Sequence, residues 1–383
     1  MNPTRQHLEP YHYISTDAEL ASLVCDIAGE ARLAVDTEAD SLHHYREKVC
    51  LIQITAGGRD FVVDPLAGFD LSPLTALLAA KPLVFHGADY DLRMLRRSLG
   101  VKPRKPVSDT MLAAQLLGYD RLGLAALVER HFGVALSKRG QKSDWSRRPL
   151  TSEQLEYARL DTHYLPELAD ILVAELKSKG RAAWFSESCE AVVCGAMEQD
   201  RAGDGEEWRI KGSRLLSRRE LAFLKEIWNW REDEARHVDL PRFKILVDEQ
   251  LMAIVRWASA HPGKSVTKGP RLPRNCLGKR LSALEKAVAR AESAPEKSYP
   301  EQPRPGKRLR SEGDCSRRIE LLRKGCSEIA IGLGIAPSTL APRASLAAIA
   351  REMPLQVEGI MAAGKLLRWQ AETIAPIVGK MKK

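Results

Sequence analysis

Asp36 and Glu38 stand two apart where the apolar run Leu33-Ala34-Val35 leads into Asp36-Thr37-Glu38, a stretch that reads as a strand. Side chains alternate across a strand, so the two carboxylates share a face. Ionised carboxylates that close repel, and the arrangement is costly without a cation. Hard oxygen donors favour Mg²⁺ or Mn²⁺ over zinc. Taken alone, the pair also fits two surface acids at a solvated strand end. A third acid, Asp91, follows the apolar run Leu83-Val84-Phe85 in His86-Gly87-Ala88-Asp89-Tyr90-Asp91-Leu92. Gly87 allows a tight turn out of a strand there, and Asp91 falls in the first turn of the next helix. Asp89 is the alternative ligand, or a cap for that helix. Tyr157 and Asp161 are four apart, so one helical turn puts a phenol and a carboxylate on one face. Such a pair can hold a metal and steer a water bound to it.

The elements that must position these groups follow from periodicity. Residues 33–64 read as three strands, with Cys50-Leu51-Ile52-Gln53-Ile54 and Phe61-Val62-Val63 joined through Gly57-Gly58, a hairpin signal. Helical spacing marks 74–80, 89–99, 109–117 and 122–132. A basic, polar segment, 137–149, interrupts this pattern. Thr151-Ser152-Glu153-Gln154 then opens a helix in capping-box style, with Thr151 or Ser152 as the cap, and that helix ends before Pro166. Strands followed by helices define an α/β domain over residues 1–200. A second, all-helical unit spans 205–290, with Leu221, Leu224, Ile227 and Trp228 at helical spacing. Residues 291–313, rich in Pro, Glu, Lys and Arg, read as a linker, and a third helical unit fills 314–383. Leu240-Pro241-Arg242-Phe243 and Leu340-Ala341-Pro342-Arg343 each precede an apolar helix, which points to a duplicated domain.

The charge is unevenly divided. Residues 1–200 carry 23 Lys and Arg against 28 Asp and Glu, whereas residues 201–383 carry 36 against 22. An acidic front and a basic back suggest carboxylate chemistry in one and polyanion binding in the other. The seven cysteines are scattered, with no CxxC pair. They read as reduced thiols of a cytoplasmic protein rather than a zinc site. No apolar stretch is long enough to span a membrane, and the polar start lacks the profile of a signal peptide.

Together the spacings resemble the three exonuclease motifs of the DEDD superfamily in its tyrosine-bearing branch. They are Val35-Asp36-Thr37-Glu38, His86 to Leu92, and Tyr157-Ala158-Arg159-Leu160-Asp161. The histidine-bearing branch would place His where Glu156 stands. The surrounding segments are similar to the ribonuclease D family: Cys50 to Ile54, Ser108-Asp109-Thr110, and Lys142-Ser143-Asp144-Trp145-Ser146-Arg147-Arg148-Pro149-Leu150. The second and third units resemble the helicase-and-RNase-D C-terminal (HRDC) domain. The third is the more divergent, lacking the run that Trp230-Arg231-Glu232 supplies in the second.

The resemblance implies an RNase H-like mixed-sheet exonuclease domain followed by two all-α HRDC-like domains. It also implies 3′→5′ trimming of RNA, tRNA precursors with 3′ extensions above all, with release of nucleoside 5′-monophosphates. Asp36, Glu38, Asp91 and Asp161 would hold two divalent cations, Mg²⁺ or Mn²⁺, and Asp91 rather than Asp89 takes the ligand's place. Two such metals can clamp the attacking and leaving oxygens of an in-line displacement. Tyr157, a phenol with a reference pKa of about 10, would orient the attacking water rather than deprotonate it. The basic stretch from Lys138 to Arg148 is expected to meet phosphates, and Trp145 either stacks on a base or packs locally.

Two other features carry less. Gly263-Lys264-Ser265 looks like the end of a P-loop, but Ala258 replaces the first glycine and a helix precedes it. His43-His44 reads as a solvated pair on a loop. A proofreading-type DNA exonuclease and a non-enzymatic RNA-binding scaffold on a nuclease fold are the rival readings.

Overall fold

A computed structural model of the chain describes residues 10–198, 205–302 and 312–381. Its contacts divide the chain into two compact units. The larger opens with β1 (His12–Ile14), α1 (Asp17–Ile27), β2 (Leu33–Ala39), β3 (Val49–Ala56) and β4 (Arg59–Val63). It continues through α2 (Ser72–Ala80), β5 (Leu83–Phe85), α3 (Ala88–Leu99), β6 (Val107–Asp109), α4 (Thr110–Leu117) and α5 (Leu124–Phe132). Then come α6 (Ser152–His163), α7 (Leu165–Ser178) and α8 (Ala182–Glu198). The six strands form one mixed sheet in the order β1-β4-β3-β2-β5-β6, antiparallel at β4–β3 and β3–β2 and parallel at the other three pairings. This is the RNase H-like arrangement expected from the sequence.

Local chemistry explains the key connections. Gly57 and Gly58 both have positive φ, 57° and 75°, which fits the tight right-twisted hairpin between β3 and β4. β3 is buried along its whole length, so its apolar run needs no alternation. Thr151, not Ser152, caps α6, in a reciprocal box with Gln154. The helix predicted from Asp109 begins one residue later. Asp109 ends β6, and its carboxylate caps α4 by accepting from the Met111 and Leu112 N–H groups. β1 and β6, three residues each, escape a periodicity reading because so few residues show no alternation.

The smaller unit holds α9 (Arg218–His237), α10 (Arg242–Ile245), α11 (Asp248–Ala260) and α12 (Lys279–Ser293), together with Asp40–Lys48. Phe223, Leu224, Ile227, Leu251, Ile254, Leu284 and Ala287 form its core. Arg231 is buried within it and donates to the Leu246 carbonyl at 2.9 Å and to Asp248 Oδ1 at 2.6 Å. The His43-His44 pair is not simply solvated, since His44 Nδ1 lies 2.7 Å from Asp239 Oδ2. The segment read as a linker starts inside α12. Its next part stays with the unit through Gln302, which donates to the Leu216 carbonyl at 2.6 Å. Residues 303–311 of that segment lie outside the described residues.

The chain closes with α13 (Glu312–Leu333), α14 (Pro337–Leu340), α15 (Arg343–Glu352), α16 (Val357–Gly364) and α17 (Arg368–Lys380). These helices belong to the larger unit. Leu322, Ile349, Ile374 and Val378 share one core with Ala113, Leu116 and Leu117 of α4 and with Leu168 and Leu172 of α7. Trp184 stacks on Trp369 at 4.6 Å, and Glu187 accepts from the Arg368 and Trp369 N–H groups at the start of α17. Both helical regions run long helix, one-turn helix, helix. The proline–arginine segments matched in the sequence do not correspond, however: Pro241 caps the one-turn α10, whereas Pro342 caps α15. Either helix start suits proline, whose fixed φ is free of cost there. No helix among the described residues is long and apolar enough to cross a membrane, and all seven cysteines are free.

Candidate active site

β2 carries Asp36 and Glu38 to the edge of a cleft of about 580 Å³, which Asp91, Tyr157 and Asp161 also line. One carboxylate oxygen each from Asp36, Glu38 and Asp161 lie within 4.8 Å of one another. Asp91 stands beside this trio and is oriented by Thr37, whose N–H and Oγ1 both donate to its Oδ1, at 3.1 and 2.6 Å. Asp89 does not line the cleft. Its side chain is 53% exposed and pairs with Arg93 one turn on. α6 brings the Tyr157 hydroxyl into hydrogen-bonding contact with Asp161.

No Lys or Arg forms an ion pair with any of the four acids among the described residues. Their protonation shows what this costs. Burial, and then the charges of Asp91, Asp161 and Glu38, hold Asp36 well above the usual carboxylate range. Burial followed by Asp161 and Asp91 pushes Glu38 up to about 9. Asp91 rises to about 7, burial outweighing the hydrogen bonds from Thr37. Asp161 also rises to about 7, chiefly by burial and against the bond from Tyr157. Tyr157 is raised too, by burial and then by the charges of Asp161, Glu38 and Asp36, so it stays a phenol. Crowded carboxylates without a cationic partner, Asp91 buried and Asp36, Glu38 and Asp161 half-buried, form a hard-oxygen donor set suited to divalent metal.

Two residues of the basic segment fix the Tyr157 ring. Trp145 is 1% exposed and lies 6.1 Å from that ring, centroid to centroid, among Cys50, Leu51, Val62 and Ala158. It packs and is not available to stack on a base. Gly140 has φ +109°, and a Cβ there would stand 3.0 Å from Tyr157 Cγ, so only glycine leaves the ring its place. Arg148 departs from the expectation of phosphate contact. Its guanidinium binds Asp64 at 2.5 Å and the Cys50 carbonyl at 2.8 Å, and Tyr13 donates to the same aspartate. Lys138, Arg139 and Lys142 remain exposed, and Lys138 lines the cleft with Arg121.

The sequence reading assigned no role to three residues that build the site: Thr37, His86 and Asp109. Each lies inside a quoted motif, but their hydrogen bonds are long-range and leave no spacing signal. Asp109 accepts from the Gly87 and Ala88 N–H groups, both at 2.9 Å, and so fixes the turn that launches α3 toward Asp91.

A mixed sheet presenting this acidic cleft beside a phenol fits a metal-using nuclease. The family model described as a 3′–5′ exonuclease matches residues 11–177, and the HRDC domain model matches residues 220–263. The chain belongs to the ribonuclease D family, and it is a 3′→5′ exoribonuclease. It is 34% identical to ribonuclease D of Acidiphilium cryptum over 79% of this chain and 78% of that one. It is 36% identical to ribonuclease D of Nitrobacter hamburgensis over 66% of this chain and 67% of that one. Among solved structures, it is similar to Escherichia coli RNase D, described as an exoribonuclease involved in structured RNA processing. That match has 25% identity and a TM-score of 0.75, covering 97% of this chain and 98% of that one. Family and fold thus favour the exoribonuclease over the DNA-proofreading and scaffold readings.

Proposed function

We propose that Asp36, Glu38, Asp91 and Asp161 hold two divalent cations, Mg²⁺ or Mn²⁺, and that with Tyr157 they hydrolyse the terminal phosphodiester of structured RNA, tRNA precursors in particular. The convergence of carboxylates from β2, α3 and α6 on one cleft, with no cationic partner among the described residues, carries this reading. Bound divalent cations would supply an acidified water and neutralise charge on the phosphate. The remaining work falls to the chain. Thr37 keeps Asp91 aimed into the cleft. Tyr157, protonated throughout the working range, orients the attacking water through its hydroxyl. Lys138 and Arg121 face the incoming strand and favour its phosphates. The water oxygen bonds to phosphorus, the bond from phosphorus to the penultimate O3′ breaks, and that oxygen takes up a proton. The products are a nucleoside 5′-monophosphate and an RNA one residue shorter.

The division of labour follows the same lines. Residues 1–200 would do the chemistry and the first HRDC domain (205–290) would bind the RNA body, while helices of the divergent second one (314–383) pack on α4 and α7. The seven free cysteines accord with a cytoplasmic setting. Duplicate RNAs labelled at the 5′ or the 3′ end, incubated with Mg²⁺, Mn²⁺ or EDTA, test the proposal. Early loss of the 3′ label as mononucleotide, a ladder from the 5′ label, and silence in EDTA are expected. Undiminished cleavage in EDTA, or internal cuts, would overturn it.

A further inference from the structure

We propose that His86 accepts a hydrogen bond at Nε2 from the ribose 2′-hydroxyl of the 3′-terminal nucleotide and thereby sets the enzyme's preference for a ribonucleotide end. The inference rests on the proposed cleavage of RNA 3′ ends in this cleft.

His86 leaves the end of β5 just before Gly87, whose φ of +85° turns the chain into α3. It lines the cleft with Asp36, Glu38, Asp91 and Tyr157. Its Nδ1 lies 2.9 Å from Thr110 Oγ1, and that oxygen lies 3.1 Å from the Phe85 carbonyl oxygen. A threonine hydroxyl has one proton, and a carbonyl oxygen can only accept. The Thr110 proton therefore points at Phe85, and Thr110 Oγ1 must accept from His86. That places the imidazole proton on Nδ1 and leaves Nε2 as an acceptor. No protein group hydrogen-bonds Nε2 among the described residues. Burial, stronger than the opposing pull of Asp109, lowers the His86 pKa and keeps the ring neutral.

An acceptor locked in one tautomer at the wall of the cleft selects for a donor. Phosphate oxygens are excluded, because they only accept. The ribose hydroxyls of the terminal nucleotide donate, and the 2′-hydroxyl is the one that RNA has and DNA lacks. A 2′-deoxy end forgoes this bond, and the half-buried Nε2 is left to whatever water the bound nucleotide leaves it.

Three oligoribonucleotides of one sequence test this, ending in a ribonucleotide, a 2′-deoxynucleotide or a 3′-deoxynucleotide lacking only the 3′-hydroxyl. Each is given to the full-length protein and to its His86→Ala and Thr110→Val variants. The natural protein is expected to remove the ribonucleotide about tenfold faster or more than the 2′-deoxynucleotide. His86→Ala should bring the two rates together by slowing the ribonucleotide. Thr110→Val, close in shape and lacking the acceptor that fixes the tautomer, should narrow the ratio while the melting temperature confirms folding. Equal rates on ribo and 2′-deoxy ends in the natural protein overturn the inference, as does a ratio unchanged by both substitutions. So does discrimination that follows the 3′-hydroxyl instead. Failure of the natural protein to shorten any of the three would instead count against the proposed function.

Discussion

Thr37 grips Asp91 Oδ1 twice, through its backbone N–H at 3.1 Å and its hydroxyl at 2.6 Å, so the strand that bears two of the acids also orients a third. Thr37→Val keeps the shape and the backbone bond and deletes only the hydroxyl. Partners of metal ligands typically contribute about 10–100-fold in affinity or activity. Exonuclease rates measured across a Mg²⁺ or Mn²⁺ titration should therefore show the midpoint moved to higher metal, with folding unchanged. An identical titration curve would mean that the hydroxyl does not hold Asp91 in its working position.

The raised carboxylate pKa values fix a pH dependence. A carboxyl whose folded pKa lies above its unfolded value binds more protons when folded, so stability falls as pH rises between the two. For Glu38 that window runs from the ordinary 4.5 to about 9, and for Asp91 and Asp161 from 3.8 to about 7. Protein stripped of metal should melt at lower temperature at pH 8 than at pH 5, and added Mg²⁺ or Mn²⁺ should raise the melting point more at pH 8. Asp36→Asn, which removes one of the crowded charges, should flatten the pH dependence while abolishing exonuclease activity. A metal effect equal at both pH values would refute the assignment.

Tyr157 should separate chemistry from binding. Tyr157→Phe deletes a hydroxyl and keeps the ring, and loss of such a group typically costs about 10²–10⁴ in rate. Gly140→Ala should mimic it, because the new methyl would press on the ring from 3.0 Å. The double variant should be little slower than the slower single one, since both changes act through one hydroxyl. Independent, multiplying losses in kcat would show that Gly140 acts elsewhere.

The last five helices should be indispensable to the catalytic unit's stability. Trp369 stacks on Trp184 and donates to Ser188 Oγ at 3.3 Å. Trp369→Ala should cost about 3–5 kcal/mol, typical of a buried tryptophan. Denaturant melts would measure it, together with a fragment ending at residue 302, which should be poorly soluble because Leu116, Leu117 and Trp184 lose their cover. A fragment as stable as the full chain would contradict the shared core.

The acids and Tyr157 were legible because strand and helix geometry converts spacing two and spacing four into a shared face. The Gly57-Gly58 turn and the Thr151 box were legible for a similar reason: both are local. What stayed hidden depends on distance along the chain. Arg148 looks like a phosphate-binding residue until Asp64, 84 residues away, is seen to bind it. Trp145 could be read as stacking or packing until its neighbours from β3, β4 and α6 were in view. The attachment of α13–α17 to α4 and α7 leaves no trace in composition, because a helix face buried against a distant domain reads like one buried against its neighbour.

Asp109 ties the starts of α3 and α4 to a single carboxylate, Oδ1 serving Gly87, Met111 and Leu112 and Oδ2 serving Ala88. Mechanically this is a rivet through two beams: neither helix can pivot at its root without dragging the other. The far side of α4 is embedded in the same apolar mass as α14, α15 and α17. The helix start that carries Asp91 is thus pinned to a helix that is itself seated in the core of the last five, so the place of this acid depends on packing far along the chain.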